Sequence, residues 1–197
     1  MYEHNKNTTK EKILMTAARM FSERGYDRVT TREIAKDIGI NSASIYHYFS
    51  SKNEILKSLY KLYSEQRQKE SPDIDELLRL AETDAPHEVL MKIEYYYDEE
   101  VRKFFDQILV TASRMVCSDP ESERFIRENI FDNITRIIKP LLRRMVELGK
   151  IESFDDDVFF KVLSNYCFSA AALNNSVFRQ NFAEYRTGLS YIFTMIK

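Results

Sequence analysis

Glycine and proline number only four each in this chain, and that scarcity is the first constraint on its fold. A turn-rich β protein needs many more of both, so the chain reads as mostly helical. No apolar run reaches the roughly 18 residues a membrane helix needs, and the opening MYEHNKNTTKEK carries no signal-peptide pattern. No membrane partner is therefore expected, and the chain should stay in the cytoplasm. Cysteine is equally sparse. Cys117 and Cys167 both sit in apolar helical stretches, which reads most simply as two reduced, buried thiols.

The signatures of catalysis are missing too. There is no glycine-rich phosphate loop, no HExxH, no CxxC and no nucleophile elbow. The three histidines are His4 near the start, His47, and His87 at a helix start, and their settings give them no common site. Asp155-Asp156-Asp157 reads as a complement to a helix dipole, and Asp98-Glu99-Glu100 as a solvated face. No enzyme activity, cofactor or metal site is expected.

What is present is a soluble-protein composition, 44% hydrophobic and 30% charged, with a net charge of −2. That near-neutral total hides an asymmetry. Residues 1–63 hold eleven Lys and Arg against seven Asp and Glu, so a basic head precedes an acidic body.

Within that head, Thr30 to Leu56 organises the rest. Thr30-Thr31-Arg32-Glu33 is a capping box, opening a short helix with Ile34, Ala35 and Ile38 inward. Gly39 stands where a chain leaves a helix in a left-handed conformation. Asn41 is a good N-cap for a second brief helix, about 42–48, with Ile45 and Phe49 inward. Ser51-x-x-Glu54 then opens a long helix to about Lys69. Helix, glycine turn, helix is the helix-turn-helix pattern, whose second helix enters the major groove of DNA. Thr8-x-x-Glu11 opens an earlier helix, with Ile13, Leu14, Ala17, Ala18 and Phe21 on one face. It gives the two short helices something to pack on.

These residues resemble the TetR family of bacterial transcriptional regulators. The likeness is carried by Ile13, Ala17, Phe21, Gly25-Tyr26, Thr30-Thr31, Ile34-Ala35, Gly39, Ser42, Ile45-Tyr46, Tyr48-Phe49, Ser51-Lys52 and Leu56. It implies a homodimer that binds a palindromic double-stranded DNA operator and releases it when a small molecule enters the C-terminal domain. By position it implies a DNA-contacting set. Ser42, Ala43, Ser44 and Tyr46 would face bases, with Arg32 reaching a base as well. Thr31, His47, Tyr48 and Lys52 would anchor phosphates. Asn41 and Ala43 depart from the family's frequent Ser and Gly or Pro, which bears on the operator read.

The expected fold is all-α. A three-helix helix-turn-helix DNA-binding domain (8–68) is followed by a larger C-terminal helical ligand-binding and dimerisation domain (72–197). Ser71-Pro72 marks the boundary. In the body, Asp84-Ala85-Pro86 and Asp119-Pro120 each read as a cap with proline in the first turn. Pro140 lies inside a continuous apolar stripe and should kink or split that helix. The last two helices, about 155–197, are apolar nearly all round, which suits a two-fold four-helix contact between copies. Aromatics in the body suggest a pocket for a small, largely apolar effector, with Tyr95, Tyr96, Asp98, Arg102, Phe105 and Tyr166 as its lining. The competing expectation is an effector-independent member of the same fold that binds DNA architecturally or contacts another protein.

Overall fold

The computed structural model describes residues 8–70, 73–94, 99–155 and 157–161. Helices run α1 (Thr9–Arg24), α2 (Thr31–Asp37), α3 (Ser42–Ile45), α4 (Lys52–Glu70), α5 (Ile74–Thr83), α6 (Pro86–Glu94), α7 (Glu99–Met115), α8 (Pro120–Ile126) and α9 (Lys139–Glu147). Among the described residues there is no strand.

Local chemistry sets the ends of these helices. At α2, Thr30 accepts from the amide of Glu33 at 3.2 Å, and the Glu33 carboxylate takes the Thr30 amide at 2.8 Å. Arg24 adds a charged hydrogen bond to the same carboxylate at 2.5 Å. These bonds, with Arg24 the largest cause, hold the Glu33 pKa down to about 2. A depressed carboxylate stabilises the fold fully above its unfolded value and loses that contribution as pH falls through the folded one. Glu33→Gln is therefore expected to melt below the parent at neutral pH, with the gap closing as pH falls towards about 2. Melting curves that stay equally far apart down the whole acid range would contradict this.

At the other end of α2, the Ile40 amide returns to Ala35 O at 3.0 Å and the Gly39 amide to Lys36 O at 3.3 Å. This paired closure needs a left-handed residue, and Gly39 supplies it at φ 73°. At α4 the expected second capping box forms with one change of partner. Ser51 Oγ accepts from the Glu54 amide at 3.1 Å, but the Glu54 carboxylate takes the amide of Ser50, at 2.5 Å.

The apolar residues form two cores. The larger includes Ile13, Ala17, Phe21, Ile34, Ile45 and Phe49 from the head together with Phe104, Phe105, Ile108, Phe125, Ile126, Ile130 and Ile134 from the body. Head and body thus share one core, and the break in the chain near Pro72 is no break in the packing. The second core gathers Leu77, Ala81, Val89, Ile137, Leu141, Leu142 and Met145.

Pro140 does not split the helix. Between α8 and α9 the backbone stays helical, but Arg127–Phe131 and Ile134–Ile138 are wound as wider π-type turns. Pro140 falls in the first turn of α9, where its missing amide matters least once the preceding turn has widened.

One expectation about the thiols is corrected. Cys117 is exposed, because α7 ends at Met115 and the chain turns there, with the Ser118 amide on Met115 O at 2.9 Å. The apolar residues up to Met115 are on the helix; Val116 and Cys117 lie in the turn beyond it. Cys167 lies outside the described residues.

Candidate nucleic-acid interface

The reading unit is α2, the Gly39 turn and α3. Its inner side is fixed by Ile34, Ala35, Ile45 and Phe49, none more than 2% exposed. The second helix is shorter than its sequence suggests. It is α-helical for the four residues Ser42–Ile45 and then tightens. Tyr46, His47 and Tyr48 donate to Ala43, Ser44 and Ile45 carbonyls at 3.2, 3.3 and 2.9 Å, each three residues back. Ser42 and Ser44 are poor helix formers, and the β-branched and aromatic run from Ile45 to Phe49 is little better. With Phe49 committed to the core, the three residues before it are left facing outward.

The outcome is a surface of aromatic and polar groups. Tyr46 is 58% exposed and Tyr48 42%, with His47 exposed between them. Large aromatics exposed together mark an interaction face more often than chance placement. Thr31 and Tyr46 are brought together, their hydroxyls 3.3 Å apart, which ties the start of α2 to the end of the reading turn. Asn41 caps α3 by accepting from the Ala43 amide at 2.9 Å. Ala43 is exposed, and Ser42 and Ser44 are half-buried.

Charge is arranged behind this face so that it is not cancelled. Glu33 is held by Arg24, and Asp37 by Arg19 at 2.7 Å. Both acids of α2 are thus answered from α1. Arg32 is exposed and makes no ion pair or hydrogen bond to another described residue. A cation in that condition is available to a phosphate or a base edge.

Lys52 is placed differently. Its ammonium donates to the carbonyls of Tyr26 at 2.9 Å and Val29 at 3.0 Å, and stands 4.1 Å over the Tyr26 ring. The first residue of α4 thereby pins the short 3₁₀ turn Tyr26–Arg28 that joins α1 to α2. Lys10, which the sequence gave no reason to single out, extends its ammonium to 5.7 Å from the Phe49 ring centre, beside the end of the reading turn. Only the folding of α1 across the unit brings it there.

Of the residues expected to line a pocket, Tyr95, Tyr96, Asp98 and Tyr166 lie outside the described residues. Arg102 is exposed. Phe105 is buried edge-on against Tyr63 of α4, ring centres 4.9 Å apart, so it packs α7 against α4. Asp155 caps the helical turn at 157–161, accepting from the Val158 amide at 3.0 Å.

Comparison with known proteins matches this geometry. Residues 13–59 fit the family described as bacterial regulatory proteins, tetR family. Over 52 residues the chain is 44% identical to the biofilm operon icaADBC HTH-type negative transcriptional regulator IcaR of Staphylococcus aureus strain Newman, covering 26% of this chain and 28% of that regulator. Over 55 residues it is 44% identical to the HTH-type transcriptional repressor KstR2 of Mycobacterium tuberculosis, 28% of each chain. The matched stretch thus spans little more than a quarter of these relatives. The solved structure of the ketosteroid transcriptional regulator KstR2 of M. tuberculosis aligns with a TM-score of 0.65 over 92% of this chain and 95% of that one, at 23% identity. Sequence likeness to these two regulators is confined to 52 and 55 residues, while the fold aligns with that solved structure over most of the chain.

Proposed function

We propose that this member of the TetR family of bacterial regulatory proteins represses transcription as a cytoplasmic homodimer bound to a palindromic operator, and that a small, largely apolar molecule releases it. The observation that carries the reading is the outward face of Arg32, Tyr46, His47 and Tyr48, unopposed by acids and set on a buried apolar footing. Ser42, Ala43, Ser44 and Tyr46 face bases, joined by Arg32. Thr31, His47 and Tyr48 meet phosphates, with Lys52 beside them at the joint. The dimer contact falls to the last two helices, about 155–197, and the effector to the aromatic body around Arg102 and Phe105. Among the described residues no helix is long and apolar enough to cross a membrane.

Selection of bound sequences from a random duplex pool, with the mass in solution measured alongside, tests this reading. An enriched palindrome held by a dimer supports it and supplies the operator for screening release by flat apolar compounds. Salt-sensitive binding with no enriched sequence favours the architectural alternative. Two substitutions then test the base contacts. Ser44→Ala is expected to change preference at one position of each half-site and leave the salt dependence alone. Arg32→Ala is expected to weaken binding by about 1–3 kcal/mol and to relax one position. An Arg32→Ala variant that binds every sequence equally less well, with no position relaxed and the salt slope lowered by roughly 1, would contradict the base contact assigned to Arg32.

A further inference from the structure

The head joins the body along α4 and α1, and the joint has two kinds of contact. The apolar kind is extensive but slack in angle. Tyr60 stacks on Phe125 with ring centres 4.3 Å apart and planes 13° from parallel, and Tyr63 meets Phe125 edge-on at 5.1 Å. Burial of such surface has no preferred direction, so stacked rings can slide over one another with little loss.

The polar kind is directional. Ser122, which is fully buried, gives its hydroxyl proton to Asp119 Oδ2 at 2.5 Å, and its amide binds the same oxygen at 2.8 Å. With that proton committed, the Tyr60 hydroxyl must be the donor in its 2.7 Å contact with Ser122 Oγ. The result is a one-way chain, Tyr60 to Ser122 to Asp119, from the middle of α4 to the cap of α8. Beside it Lys57 pairs with Glu121 at 2.9 Å, and Ser64 donates to Asn129 at 3.3 Å. On the other flank Arg114 of α7 donates to the carbonyl of Ser22, near the end of α1.

We propose that this hydroxyl chain and the grip of Arg114 on Ser22 fix the tilt of the reading head on the body, and so set the separation of half-sites a dimer accepts. The inference rests on the reading of a dimer on a two-fold operator. Tyr60 lies about 12 Å along α4 from Lys52, by the rise per residue of a helix. A tilt of about 3.6° about the far end of α4 at Glu70, about 27 Å from Lys52 and about 15 Å from Tyr60, then moves the DNA-reading end by about 1.7 Å and Tyr60 by about 0.9 Å. Opposite movements of two heads add to about 3.4 Å, the rise of one base pair. The 2.7 Å bond from Tyr60 to Ser122, lengthened by about 0.9 Å, is then broken. The ring contacts would survive a shift shared between several of them. The polar chain therefore discriminates between adjacent separations.

The test is sequence selection with the full chain as parent, Tyr60→Phe and Arg114→Gln, and with both changes together. Tyr60→Phe keeps the ring stack and loses the donor; Arg114→Gln changes an exposed side chain. The parent is expected to enrich paired half-sites at one separation. Each variant should keep the same half-site sequence and spread to separations one base pair longer or shorter. The preference for the parent separation should fall by about tenfold, the scale of one buried hydrogen bond. Variants that melt lower yet hold the parent's single separation would assign these bonds to stability alone and overturn the proposal. A parent that enriches no paired half-sites removes the functional reading, and this inference with it. If Tyr60→Phe does not fold, Arg114→Gln decides by the same readout.

Discussion

Phe21→Ala is expected to lower the stability of the whole chain by about 3–5 kcal/mol, the range for emptying a buried aromatic site. Phe21 is fully buried and meets Tyr26 edge-on at 5.1 Å. Its core also contains Phe104, Phe105 and Ile108 of α7, so the cavity opens in the core that head and body share. Removing it weakens both at once. Denaturant titration followed by circular dichroism should show one transition displaced to lower concentration. An early transition of the head alone, with the remainder unfolding where the parent does, would mean that the shared core does not couple them.

Lys52→Met is expected to cost about 1.5–3 kcal/mol, the scale of hydrogen bonds to a charged group. Methionine keeps the apolar stem and loses the ammonium. Two carbonyls, Tyr26 and Val29, then lose their donor and must turn to water. The loop they belong to carries α2, so the reading unit loosens and every DNA sequence is bound less well. The salt dependence separates the two roles open to this residue. A slope lowered by roughly 1 gives the ammonium a phosphate partner in addition to its carbonyls. An unchanged slope with a lowered melting point assigns it to the joint alone. An unchanged melting point would contradict the role the geometry gives it.

These two residues mark what could be read from the sequence. The caps at Thr30, Asn41 and Asp119 and the glycine turn at Gly39 were legible because each depends on bonds within a few residues. The outward placement of Tyr46 was legible from the inward demands of Ile45 and Phe49. The length of α3 was less so, since it depends on how tightly an aromatic run can wind. Lys52 reaches carbonyls far back in the chain, whereas its charge and its position in the family pattern suggested a phosphate. Arg114 and Ser22, and Tyr60 and Ser122, are likewise distant in sequence, and no local pattern pairs them. A proline in the chain near residue 72 was visible, whereas the core running past it was not, because a core is a property of packing. Cys117 shows the converse error. The residues before it are apolar, but the helix that carries them ends at Met115, two residues earlier.

The wider turns ahead of Pro140 also settle how one helix serves two cores. An extra residue per turn rotates every later side chain by about 100° relative to a regular helix. Ile126, Ile130 and Ile134 belong to the core shared with the head, while Leu141, Leu142 and Met145 belong to the distal one, and Ile137 lies between them in sequence. The turns at Arg127–Phe131 and Ile134–Ile138 are the phase shift that hands the apolar stripe from one to the other. The helix from Pro120 to Glu147 is thereby a phase-setting shaft. Rewinding either turn to regular pitch would rotate the distal half against the head without breaking the chain.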